Sequence, residues 1–202
     1  SEYRIVIVDN ASPNQSGLKL KQRYINDNRV DVLINSSNEG FARGNNVGYN
    51  FIRDKYNPQF IIVMNNDIII KQIDFFEKTC AIHENTQFDI LGPDIVRISD
   101  GVHQSPMYRK MPSYETIKSW YEDSVFRCTH PIASFLKLKI KDILLRRLKK
   151  NNKDEELKKN YNESMTDVVL QGACYIFGPN FIKNRKYCFN PSTFFYGEEF
   201  IL

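Results

Sequence analysis

The stretch Phe60-Ile61-Ile62-Val63-Met64-Asn65-Asn66-Asp67 constrains this chain most. Its apolar run is rich in β-branched residues and too short for a buried helix, so it reads as a strand covered on both faces. The run stops at two carboxamides and a carboxylate. Open α/β sheets bind their ligands in the crevice outside the carboxyl ends of their strands, which makes Asp67 the first candidate for function. The same three residues also suit a plain turn, because Asn and Asp bond their own backbone and accept left-handed conformations.

The grammar repeats upstream. Tyr3 to Val8 is a second apolar strand, closed by Asp9-Asn10-Ala11-Ser12-Pro13-Asn14. Gln15 to Tyr24 carries Leu18, Leu20 and Tyr24 among basic residues and predicts a short amphipathic helix. Val30 to Ile34 is a third strand. Beyond the central stretch, Asp74 to His83 predicts a helix with Phe75, Phe76, Cys80 and Ile82 inward and His83 at the surface. Short strands are expected near Asp89 to Leu91 and Ile95 to Ile98. The alternation of strand and helix predicts an α/β sheet of mostly parallel order.

Between the third strand and the central one lies Asn38-Glu39-Gly40-Phe41-Ala42-Arg43-Gly44-Asn45-Asn46-Val47-Gly48. Three glycines at spacing four allow close backbone approach, and a helix running to about Tyr56 would start inside this segment with its amides aimed outward. A diphosphate is the natural guest of such a start. A glycine-rich strand-to-helix turn with no ligand fits the same residues.

From about Asp100 to Asp167 the alternation breaks. Phe135 to Lys150 places Leu136, Ile140, Ile143, Leu144 and Leu148 on one helical face with cations around the rest. It reads either as a helix on an anionic membrane surface or as a solvated helix packed on the sheet. The chain carries +4 overall, yet residues 131–160 hold ten Lys and Arg against four Asp and Glu. The remainder is therefore slightly acidic, which speaks against a nucleic-acid-binding surface and predicts no nucleic-acid partner. Cys80, Cys128, Cys174 and Cys188 lie far apart with no zinc spacing, which points to a reducing cytosol. No apolar run approaches the roughly 18 to 20 residues of a membrane span. With 42% hydrophobic residues the chain can fill a substantial core.

The alternation resumes at Asp167 to Phe177, a predicted strand whose Gly172 suggests a bulge or a ligand close to the backbone. Phe194-Phe195-Tyr196-Gly197-Glu198-Glu199-Phe200 then sets two adjacent carboxylates after an aromatic cluster. Such a pair suits the first turn of a helix. Facing a pocket, mutual repulsion and desolvation would raise one pKa and fit it for proton abstraction.

Five pieces in this order resemble the family 2 glycosyltransferases of GT-A fold, in particular the rhamnosyltransferase-like branch of bacterial cell-surface polysaccharide synthesis. They are Ile5 to Ser12, Asn38 to Gly48, Met64 to Asp67, Gln171 to Cys174 and Phe195 to Glu199. Residues 101–165 carry no resemblance. The resemblance implies a mixed, mostly parallel sheet flanked by helices, with a nucleotide-sugar-binding half over 1–100, a basic, mostly helical insertion over 101–166 and an acceptor and base segment over 167–202. It also implies one further strand and helix before Ile5, a helix continuing past Leu202, and a homodimer through the edge so exposed. Asp9, Asn38, Gly40, Gly44, Asn45, Asn66 and Gly172 would contact a UDP- or dTDP-sugar donor. Asp67, with Asn65 in place of the first acid of the Asp-X-Asp form, would hold Mg2+ or Mn2+. Glu199, with Glu198 beside it, would be the base of an inverting transfer to a glycan or lipid-linked acceptor. The location implied is the cytoplasm, peripherally at the inner face of the cell membrane. Two rivals stay open at this level. A sugar-phosphate nucleotidyltransferase should carry a basic glycine-rich loop after the first strand, which Asp9 to Ser16 lacks, and a non-catalytic nucleotide-binding module would tolerate loss of Glu199.

Overall fold

The computed structural model describes residues 2–131, 133, 135, 161 and 163–194. They fall into two compact units, Ser1–Met107 with Val169–Leu202, and Tyr108–Val168. In the first unit β1 (Ile5–Asp9), α1 (Ser16–Arg23), β2 (Val30–Ile34), α2 (Gly40–Tyr56), β3 (Ile61–Met64), α3 (Phe75–Thr86) and β4 (Ile90–Leu91) follow one another. The second unit contributes α4 (Tyr114–Thr129), and the chain then returns to the first as β5 (Cys174–Phe177) and α5 (Pro179–Asn184). A proline at the first position of α5 suits it, since the missing N–H is one that a helix start leaves unbonded anyway.

β1 pairs in parallel with β2, from Ile5 opposite Val30 to Asp9 opposite Ile34. β3 and β4 also run the same way, but β5 is inserted between them antiparallel to both, with Ile61 and Ile90 each opposite Phe177. The expected parallel order thus holds for β1 with β2 and fails around β5, because that strand arrives from beyond the second unit rather than through a short crossover helix. Its position also makes β5 the most buried strand. With partners on both edges, Cys174, Tyr175, Ile176 and Phe177 are all at most 1% exposed, whereas β3 runs from Ile61 at 2% to Met64 at 38%.

The core is aromatic and centres on β5. Tyr49 of α2 and Phe181 of α5 both pack on Phe177, with ring centroids 5.8 Å and 4.7 Å away, and Phe189 packs edge-on to Tyr175 at 5.4 Å. One carboxamide completes it. Asn46, 4% exposed, donates to the Phe189 carbonyl at 2.8 Å and accepts from the Phe189 amide at 3.0 Å. The side chain pairs with residue 189 as a neighbouring strand would, satisfying both of its buried backbone groups.

Four expectations are corrected. α3 turns Phe75, Thr79 and His83 inward, one row at spacing four, while Phe76, Cys80 and Ile82 are exposed. His83 is half-buried between the rings of Phe60 and Phe88, each 5.1 Å away, and is not a surface residue. Ile95 to Ile98 contributes only the bridge of Val96 with His103, since Asp100-Gly101 turns the chain back at once and Gly101 takes a φ of 70°. The strand expected from Asp167 begins only at Cys174. Gly172 precedes it in a turn that Gln171 closes by accepting the Ala173 amide at 2.6 Å.

In the second unit Ser113 caps α4, its hydroxyl accepting from the Thr116 amide at 3.3 Å. None of the helix's residues is buried. The basic stretch expected over 135–150 lies outside the described residues apart from Phe135. No helix among the described residues is long and apolar enough to cross a membrane.

Candidate functional site

Asp9 closes β1 and is 8% exposed. Its carboxylate accepts from the Ser12 amide at 3.1 Å and the Ser16 hydroxyl at 3.0 Å. Hydrogen bonds from Ser12 above all, with Ser16 and the Gly17 amide, hold its carboxyl below the usual carboxylate range against the opposing effect of burial. Gly17 makes the approach, as a Cβ there would lie 2.7 Å from Asp9 Cγ. Between the two, Ala11 and Gln15 each take a left-handed φ of 61°, so the loop after β1 is strained as well as tightly bonded.

The parallel register brings Asn10 and Asn35 together, one residue past Asp9 and Ile34. Asn35 donates to Asn10 Oδ1 at 3.0 Å, and the Glu39 amide donates to the same oxygen at 3.1 Å. Asn10 Nδ2 donates to Asn38 Oδ1 and to the Gly40 carbonyl, both at 3.0 Å. Asn38 Oδ1 in turn accepts from the Gly40 amide at 2.9 Å. Asn38 and Gly40 thus come to one strand end with Asp9. Gly44 joins them one helical turn later, where a Cβ would sit 3.0 Å from Asn10 Nδ2.

The start of α2 is accordingly not a set of outward amides. Glu39 and Gly40 give theirs to Asn10 and Asn38, and the Phe41 amide goes to the Phe194 carbonyl at 2.7 Å. The glycines at spacing four each accept a close neighbour. Gly40, with a φ of 79°, lies under Phe194, Gly44 under Asn10 and Gly48 under Val8. Asn45 bonds back to the Phe41 carbonyl at 2.9 Å along the helix.

The second group sits at the end of β3. Met64 lies opposite Cys174, and the Asn65 amide donates to the Ala173 carbonyl at 2.9 Å, so the turn of Asn65, Asn66 and Asp67 adjoins that of Gly172. Asn66 and Asp67 are exposed and Asn65 is half-buried. Asn65 also accepts from the Ile68 amide at 3.3 Å, which closes the turn. Glu198 and Glu199 lie outside the described residues.

The model of the family described as "Glycosyl transferase family 2" matches residues 1–144, from β1 through α4, including both strand ends with Asp9 and Asp67. The chain belongs to glycosyl transferase family 2. Its similarity extends to the low-salt glycan biosynthesis hexosyltransferase Agl10 of Haloferax volcanii, 31% identical over 102 residues, which are 50% of this chain and 31% of that protein. The chain thus spans about a third of the curated relative it matches. No solved structure matches it.

Family 2 membership gives the GT-A fold to the α/β unit described above. Divalent metal, which this family commonly uses, meets a sparse donor set here. No group of three or more His, Cys, Asp or Glu among the described residues could hold an ion. The end of β3 offers one exposed carboxylate, Asp67, with the carboxamides of Asn65 and Asn66. That set suits a hard cation taking its remaining oxygens from phosphate and water. Asn10 and Asn35 are the residues at this strand end that sequence reasoning missed. The signal available for them was the strand register, which places the residues after Asp9 and Ile34 face to face.

Proposed function

We propose that this chain is the donor-binding portion of an inverting glycosyltransferase that moves a sugar from a UDP- or dTDP-sugar to a glycan or lipid-linked acceptor. The observation that carries the reading is the convergence of Asp9 with the Asn35 to Gly40 loop at one strand end of a family 2 chain. A nucleoside seated there meets Asp9 as a carboxylate already ionised and fixed. A base imide or ribose hydroxyl donating to it adds to bonds that hold it in place, and a polar match of this kind discriminates strongly between nucleosides.

Asp67, with Asn65 beside it, would hold Mg2+ or Mn2+ against the diphosphate. Such a cation supplies neutralisation of the charge that gathers on the leaving group. The chemistry asked of the protein is then a single displacement. The acceptor oxygen bonds to the anomeric carbon, the carbon–oxygen bond to the diphosphate breaks, and the acceptor proton passes to a carboxylate, for which Glu199 and then Glu198 are the candidates. The contrast between the exposed Asp67 and the tightly bonded Asp9 supports this division of labour: one carboxylate is open to a ligand, the other is set as an anchor.

Calorimetric titration with UDP, dTDP and ADP, each with and without Mn2+, tests the reading. Tighter binding of the pyrimidine nucleotides, with the metal-dependent part lost in Asp67→Ala, is expected; equal affinity for ADP and UDP overturns it. A lipid-linked acceptor would be met at an anionic membrane surface through residues 135–150, each cation there contributing about 1 kcal/mol. Flotation on vesicles that depends on anionic lipid and falls with salt is the expected result. Among the described residues β1 pairs only with β2 and β3 only with β5, leaving each an edge for strand pairing between two copies. Sedimentation velocity over a range of concentrations should then show a dimer.

A further inference from the structure

We infer that Asn10 is a positioning residue for the donor, fixing the Asn35 to Gly40 loop without touching the ligand itself. The inference rests on the proposed donor site and names what shapes it. A carboxamide has two N–H donors and two acceptor lone pairs on its oxygen. In Asn10 all four are used: Nδ2 donates to Asn38 Oδ1 and the Gly40 carbonyl, and Oδ1 accepts from Asn35 Nδ2 and the Glu39 amide. None is left for a nucleotide. What Asn10 does instead is join the ends of β1 and β2 to the first residue of α2, across 25 to 30 residues of sequence. Gly44 lets the helix come this close, since a side chain there would meet Asn10 at 3.0 Å.

The orientation of the carboxamide is dictated by its surroundings. Asn38 Oδ1 is turned toward Asn10 because it also accepts the Gly40 amide, and the Gly40 carbonyl can only accept. Asn10 must therefore present two donors on that side. Aspartate has the same shape and none of the donors, so its carboxylate would face two acceptor oxygens. The loop that Asn10 holds would then move away from β1, and the donor site with it. Protonation would return one donor to such an aspartate; the two flanking oxygens and the ionised Asp9 next to it favour that neutral form, and the Asn35 and Glu39 donors on its other oxygen oppose them.

The experiment compares wild type, Asn10→Asp and Asn10→Ala in Mn2+ with UDP, by calorimetry at pH 7.5 and pH 5. Asn10→Asp should bind UDP at least about tenfold more weakly at pH 7.5, two hydrogen bonds having been turned into repulsions. Relative to wild type it should recover at pH 5, while Asn10→Ala should be weak at both. Asp9, held low, stays ionised over this range and leaves the comparison clean. Equal binding by Asn10→Asp and wild type at both pH values overturns the inference, as does a loss in Asn10→Asp with no recovery at pH 5. If Asn10→Asp does not fold, Asn35→Ala, which deletes one bond to the same carboxamide, must weaken UDP binding in the same direction, and unchanged binding overturns the inference. If wild type binds none of UDP, dTDP and ADP, the donor reading fails, and amide exchange in the free chain then decides about Asn10. Faster exchange at Glu39 and Gly40 in Asn10→Ala supports its hold on the loop, and unchanged exchange refutes it.

Discussion

Gly40 cannot gain a side chain without moving Phe194, whose carbonyl would lie 2.4 Å from the new Cβ. Its φ of 79° adds a second cost, since holding another residue in the left-handed region takes about 1–3 kcal/mol. Gly40→Ala should therefore lower the urea midpoint, whereas Gly101→Ala, with a similar φ and open space around it, should carry only the backbone cost. Asp9 sets a pH dependence. Its folded pKa lies below the unfolded value of about 3.9, so the stabilisation is complete above that value and is lost as the pH falls through the folded one. Thermal melts from pH 6 to pH 2 should show a shallower acid limb in Asp9→Asn than in wild type.

At the scale of elements, α2 is held to the rest by side chains that act like backbone. Asn46→Ala would leave the buried amide and carbonyl of Phe189 without partners, at about 1–3 kcal/mol for each group. Denaturant unfolding should show a loss of that size while the helical signal of the folded state is kept. How much of this could be read beforehand differs from element to element. β2 falls on the expected residues and α1 within one residue of them at each end, because alternating patterns with polar stops need only local information. The burial of β5 over β3 was not legible, since both are short apolar runs and only long-range pairing decides which is central. The inward face of α3 is not legible because the aromatic pair Phe75-Phe76 outweighs the Phe75, Thr79, His83 row in any hydrophobic count, and Thr79 is buried by neighbours no local pattern reveals. At the candidate site Asp9, Asn38 and Gly40 were recognisable as polar or glycine residues at strand ends. Asn10 is not legible in this way, because what distinguishes it is four bonds to a loop 25 to 30 residues away.

At the scale of the whole molecule, the described residues of the two units differ in how much they bury. The first has a continuous core from Ala42 to Phe189, and the second contains a sixteen-residue helix with no buried residue. Most helical stability in proteins comes from burying a face against a core, and local opening free energies range from near zero up to the global value. Native-state amide exchange should accordingly be slowest in β5 and fast throughout α4. Exchange in α4 as slow as in β5 would contradict this distribution of stability.

The place of β5 also has a consequence for synthesis. The strand that completes the three-stranded sheet is made 83 residues after the end of β4, which must wait beside β3 with neither in contact as strands. At roughly 5 to 20 residues per second the ribosome takes several seconds to deliver it. During that interval the apolar edges of β3 and β4 are exposed on the nascent chain. The two strands thus stay without their shared partner until four residues, Cys174 to Phe177, have been made.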